Sequence, residues 1–185
     1  MLVYRVFPYL PKAAPGEPGH PLYRHTPQIG GRIDHPDYYV WYLSRHAEGA
    51  CGESFGNLPY WDDSMFEFPA LAGARRALGT FTVPDSLRIC DLDDPDQLSR
   101  LGLRPTQVIT RNLAVTSNWG HRIWSETHLS QPGEKRWEAV QWWSFHRPLW
   151  TVLASWVQPE LADVQPLTLD HAAVLDAARA LYRRI

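Results

Sequence analysis

Cysteine is scarce: Cys51 and Cys90 are the two in a chain of 185 residues. Two thiols cannot build a disulfide framework or a cysteine-ligated zinc site, so they read as ordinary thiols in a reducing compartment. No apolar run approaches the roughly 18 residues that a membrane crossing needs, so no membrane partner is expected. The opening stretch MLVYRVFPYLPKAAPGEP lacks a basic start followed by a long apolar core. A secretory leader is therefore not expected, and the cytoplasm is the expected location. An excess of basic charge is missing as well. Eighteen Lys and Arg stand against twenty Asp and Glu, a formal net charge of −2. Nucleic-acid surfaces concentrate positive charge on one face, whereas here acids such as Asp91, Asp93 and Asp94 balance scattered arginines. Nucleic acid is set aside as a direct partner. A small anionic ligand, which needs only two or three well-placed cations, is not.

The common cofactor and nucleophile motifs are absent too. GxGxxG, GxxxxGK[ST] and GxSxG do not occur, which removes the usual dinucleotide, P-loop and hydrolase-elbow readings. The eight histidines are dispersed, with no HxxxH pair and no CxxC, so no metal is expected from spacing. A Ser-His-Asp set could be assembled from this composition, as from almost any, and carries no weight.

What is abundant is aromatic. Of nine tryptophans, seven lie from Trp119 onward. Large aromatics fill a β-rich core at low entropic cost, or they offer a stacking surface for planar or sugar rings; packing is the commoner use. The length fits one domain, residues 1–185, and 44% hydrophobic residues suffice for a core.

Along the chain, 2–9 (LVYRVFPY) reads as a strand and the Pro- and Gly-rich 11–21 as a loop. A short strand is expected at 22–26, a turn at Gly30-Gly31-Arg32, and a buried strand at 40–44 with Ser44 as N-cap of a helix over 45–57. Helices are expected at 69–78, 97–101 and 105–124, strands at 81–83, 87–92, 139–144 and 150–156, and a last helix over about 169–184. The fold class is α+β: a single domain with a mixed sheet and flanking helices.

One region combines unusual features. In the 45–57 helix, Ala47, Ala50, Cys51, Ser54 and Phe55 form a core stripe at i, i+3, i+4, i+7 and i+8. Gly49, Gly52 and Gly56 fall on another face with Glu53 among them. Each helical glycine costs about 1 kcal/mol against alanine. Either something approaches that backbone closely, or the helix is irregular. Upstream, Arg32 directly follows two glycines, whose backbone can come close to an anion while guanidinium forks onto its oxygens. Arg24 could supply a second clamp, Tyr42 a stacking face or a hydroxyl, and Glu53 a partner for a cationic centre. Singly, each has an ordinary explanation as a surface ion pair, a core residue or an exposed acid.

Tyr23-Arg24, Gly31-Arg32, Tyr42-Leu43-Ser44, Glu53 eleven residues after that tyrosine, and Trp143-Ser144 resemble the RES domain, over a core of about 20–157. The resemblance implies a fold similar to ADP-ribosyltransferase toxins and a toxin of a toxin–antitoxin pair, held by an Xre-like antitoxin. It implies degradation of NAD+ by hydrolysis or phosphorolysis, with NAD+ as substrate and no resident cofactor. By position it implies Arg24, His25 and Tyr42 as substrate-binding residues and Arg32, Glu53 and Ser144 as catalytic ones. Ile33 and Asp34 depart from the aromatic and asparagine of better-known members, and His25 from a tyrosine; Asp34 brings negative charge toward a pyrophosphate.

The chemistry is coherent on its own terms. Breaking the nicotinamide–ribose bond passes through an oxocarbenium-like state, the electronic problem glycosidases solve with carboxylates. Nicotinamide leaves as a neutral group, so a single carboxylate near the ribose is enough. Two other readings stand beside it: transfer of ADP-ribose to a macromolecule, and a non-catalytic, tryptophan-rich module using Trp142 or Trp143 to stack on a ligand. Homo-oligomerisation is left open.

Overall fold

The computed structural model describes residues 1–128, 130 and 133–185. Its organising element is β1 (Leu2–Tyr9), whose alternating side chains serve two faces. Val3 and Phe7 turn to one side, where they pack with Trp41, Leu43, Phe81 and Leu153. Tyr4 and Val6 turn to the other, against α1 (Ala47–Phe55) and α5 (Ala172–Ala180). Along its whole length β1 pairs antiparallel with β3 (Arg75–Thr82), from Leu2 opposite Thr82 to Tyr9 opposite Arg75. Its other edge meets β2 (Trp41–Ser44) through the one registered pair Tyr4–Ser44.

The remaining strands are β4 (Ile89–Asp91), β5 (Ala139–Trp143), β6 (Thr151–Ser155) and β7 (Glu160–Pro166). The seven-stranded sheet runs β4-β5-β6-β2-β1-β3-β7. All neighbours are antiparallel except β4 and β5. Helices cover it in two groups. α1 and α5 bury Ala50, Cys51, Phe55, Val174 and Ala177 beside β1 and β3. α2 (Pro95–Leu101), α3 (Pro105–Val108) and α4 (Leu113–Ser125) cover the β4-β5-β6 half, with Trp119 and Ile123 against Val140, Trp142 and Val152. This is a single α+β domain with a mixed sheet. No helix among the described residues is long and apolar enough to cross a membrane.

None of the nine tryptophans is exposed. Trp119 and Trp142, for example, meet edge to face at 5.8 Å and 77°, a favoured aromatic geometry. Trp41, Trp61, Trp119, Trp142 and Trp150 are buried in the core.

Several elements differ from expectation. Residues 69–78 were expected to be helical, yet Arg75 opens β3 and a turn with Gly73 at φ 76° precedes it. Pairing with both β1 and β7 outweighs the helix propensity of Ala, Leu and Arg. The helix expected over 105–124 is two helices, broken at 109–112, with the Asn112 side chain capping the second by accepting from Ala114 and Val115 N–H. Residues 22–26 form no strand. Ser44 does not cap α1; His46 holds that position, and Ser44 Oγ accepts the His46 N–H at 3.2 Å. β7 was not anticipated, because an edge strand exposed along most of its length leaves no alternation in the sequence. The last helix is shorter than expected, Ala172–Ala180. Because β1 is an interior strand, a core drawn from about residue 20 takes in too little.

Candidate functional site

Where β1 and β2 part beyond their single pair, a cavity of about 640 Å³ opens over the seam. Tyr4 and Arg5 line it from β1, Tyr42 and Ser44 from β2, and Glu53 from the last turn of α1. Arg32 reaches it from the Gly30-Gly31 turn, Arg111 from the break between α3 and α4, and His146 from the β5–β6 loop.

Arg32 is held by an unusually complete set of bonds. Its Nη1 donates to the carbonyls of Val108 (2.9 Å) and Thr110 (2.6 Å), both at the helix break. Thr116 Oγ1 donates to the Arg32 carbonyl, and Ser117 Oγ to that of Asp34 at 2.7 Å. The remaining guanidinium donors are available to a ligand, and no carboxylate lies within ion-pair distance of Arg32 among the described residues. Burial pulls its pKa down, and the charge of Glu53 pulls it back; the guanidinium stays cationic.

Asp34, the departure that brought negative charge toward this turn, is fully engaged. Its carboxylate accepts the Gly31 N–H at 2.6 Å and the Tyr42 hydroxyl at 2.7 Å. That hydroxyl in turn accepts the Ile33 N–H at 2.9 Å. Burial first, and Asp34 second, push the Tyr42 pKa well up, so the phenol keeps its proton. A Cβ on Gly31 would lie 2.4 Å from Asp34 Oδ1 and 2.6 Å from the Tyr42 hydroxyl oxygen. Glycine is required there by this close approach. Tyr42 thus braces the turn with its hydroxyl while its ring walls the cavity.

Glu53 is exposed to the cavity, and its Oε1 accepts the Ser144 hydroxyl proton. Ser144, just past β5 and only 1% exposed, accepts N–H bonds from His146 (3.0 Å) and Arg147 (3.4 Å). With its oxygen filled from the backbone, its proton is directed at the carboxylate. His146 is half-buried; burial lowers its pKa, Glu53 opposes this, and Arg111 and Arg183 lower it further.

The glycine face of α1 is explained by the protein's own side chains. A Cβ on Gly49 would lie 2.5 Å from Ser44 Oγ, on Gly52 2.2 Å from Trp150 Cζ3, and on Gly56 2.7 Å from His146 Nδ1. The close approach is real, but no ligand is needed to account for it.

The structure therefore brings Arg32, Tyr42, Glu53 and Ser144 together. It does not bring Arg24 or His25 to the cavity. Arg24 is exposed, donates to Gln158 Oε1 at 3.0 Å, and lies over the rings of Tyr39 (5.5 Å) and Trp41 (5.8 Å). His25 is exposed beside it. Arg5 borders the cavity from β1, but its guanidinium lies on the Val3–Phe7 face, over Trp41 at 5.3 Å, its pKa lowered by burial and partly restored by Tyr39. Tyr4-Arg5 repeats the dipeptide Tyr23-Arg24, and strand alternation sends the Arg5 side chain to the face opposite Tyr4. Arg111, over the Phe145 ring at 4.7 Å, and His146 had no signal in the sequence.

Comparison with family models matches the RES domain over residues 2–176. Among solved structures, the chain is similar to one in the crystal structure of the M. tuberculosis MbcT–MbcA toxin–antitoxin complex, at 18% identity and a TM-score of 0.64. That similarity covers 98% of this chain and 88% of the other. Comparison with curated proteins found no match.

Proposed function

This chain belongs to the RES domain family, and on that premise we propose that it cleaves the nicotinamide–ribose bond of NAD+ as a toxin restrained by an Xre-like antitoxin in the cytoplasm. The observation that carries the reading is that Arg32 and Glu53, on separate elements, open on one cavity. Its volume of about 640 Å³ suits a dinucleotide-sized ligand.

In this reading the diphosphate lies against the free guanidinium donors of Arg32, with Arg111 adding positive charge along the wall. The Tyr42 ring packs against the ligand. Glu53, aimed by Ser144, faces the ribose and stabilises the cation that develops as the glycosidic bond breaks. Nicotinamide leaves as a neutral molecule, taking the bonding pair. Water or phosphate then adds to the anomeric carbon.

The test is nicotinamide release from NAD+ by the purified protein, with and without phosphate. Wild type is expected to release it, and Glu53→Gln to do so about 10²–10³-fold more slowly, the usual cost of losing one preorganised electrostatic partner. Undiminished release by Glu53→Gln overturns the reading. Label from NAD+ recovered on a macromolecule identifies transfer instead.

A further inference from the structure

Outside the cavity, the turn that follows Arg32 gathers three ligand-type side chains that sequence spacing does not connect. His35 and Asp37 lie on that turn, and His121 stands on α4. One nitrogen or oxygen from each lies within 4.8 Å of the other two. Asp37 Oδ2 is 3.0 Å from His121 Nε2 and 3.6 Å from His35 Nδ1. The imidazole planes stack, with centroids 4.0 Å apart and 25° between them.

A divalent ion would take a lone pair from each ring and one carboxylate oxygen. Two imidazole nitrogens and one carboxylate oxygen are the donor set of open zinc-type centres, with the fourth position left to water. A tetrahedral site with bonds of about 2.0–2.2 Å sets its ligand atoms about 3.4 Å apart. The two distances to Asp37 straddle that value, and closing the His35–His121 side requires the rings to turn out of their stack. The N–H bond that Asp37 donates to His35 Nδ1, at 3.2 Å, is surrendered in the process. Tyr38 and Trp124 flank the two rings, at 5.6 Å from His35 and 5.7 Å from His121, and limit access of water from those sides.

We propose that His35, Asp37 and His121 form a binding site for a divalent transition ion of the zinc type. The ion fastens the turn after Arg32 to α4, the helix that already receives that turn through Thr116 and Ser117. None of its three ligands lines the cavity, so the site stands apart from substrate chemistry.

The experiment uses the purified full chain, stripped with a chelator and titrated with Zn2+ against a chromogenic competitor. One ion per chain is expected. Co2+ should give the intense visible absorption of a low-coordinate site, and excess Mg2+ should not compete. His121→Ala and Asp37→Asn should each weaken binding at least tenfold and abolish the rise in melting temperature that Zn2+ gives the wild type. His171→Ala, elsewhere on the chain, should retain both. Should the stripped protein take up no Zn2+, or should either ligand variant bind as tightly as wild type, the proposal is wrong. Because Asp37→Asn is nearly isosteric, circular dichroism of that variant separates lost binding from lost folding.

Discussion

Ser144 donates its proton to Glu53 while taking two backbone N–H bonds on its oxygen. A hydrogen bond to a charged group contributes about 1.5–3 kcal/mol. Ser144→Ala should therefore lower kcat for NAD+ cleavage roughly tenfold to a hundredfold while leaving KM nearly unchanged, as steady-state kinetics would read. An unchanged kcat would remove Ser144 from the positioning of the carboxylate. His146 offers a pH-dependent test. Its folded pKa lies below the ordinary histidine value, so the unfolded chain takes up the proton first on acidification. Its contribution to stability is complete above the ordinary value and is lost as pH falls through the interval down to the folded pKa. Melting temperatures measured from pH 7 to pH 5 should fall more steeply for wild type than for His146→Gln. Arg32, Tyr42 and Glu53 were legible in the sequence because each sits in a short local pattern of glycines, strand or helix, whereas Ser144 was implied only by the resemblance to the RES domain. Arg24, read as a second clamp, and His25, implied only by that resemblance, lie outside the cavity. Arg111 and His146 carry no local mark; only the fold turns them inward.

At the scale of elements, the glycine-bearing face of α1 makes a prediction opposite to helix propensity. Gly52→Ala should gain about 1 kcal/mol from propensity, yet its Cβ would sit 2.2 Å from the Trp150 ring. Overpacking of this kind costs about 1–3 kcal/mol or more. Chemical denaturation should show Gly52→Ala less stable than wild type, and a stabilised variant would mean that Trp150 can move aside. The glycines were visible in the sequence, whereas what they accommodate was not, since Ser44, Trp150 and His146 come from other elements. The break between α3 and α4 is a comparable case. Periodicity runs across 105–124, but the carbonyls of Val108 and Thr110 are turned to Arg32. The break coincides with these Arg32 contacts and with the Asn112 cap of α4, and hydrophobic spacing carries no trace of it. β3 was misread for a related reason: its strand state comes from partners on both sides, and residues 69–78 contain neither.

For the whole molecule, the sequence announced an α+β domain and most of its strands, but not their order. That order places the β7-β3-β1 half beside the β2-β6-β5-β4 half at Tyr4 and Ser44, with the cavity over the junction. A ligand in the cavity touches both halves. Binding of NAD+ to the slowed Glu53→Gln enzyme should reduce amide exchange in Tyr4–Val6 and Tyr42–Ser44 together. Protection confined to one strand would place the ligand on one half only. Cys51 and Cys90 belong to this scale as well. Both are buried, and burial pushes each thiol up to about 12, so they pack the core and contribute no reactivity at neutral pH.

A sheet spliced at one rung has a built-in fracture line. The helix α1, packed on both β1 and β2, spans that seam and carries Glu53 to the cavity above it.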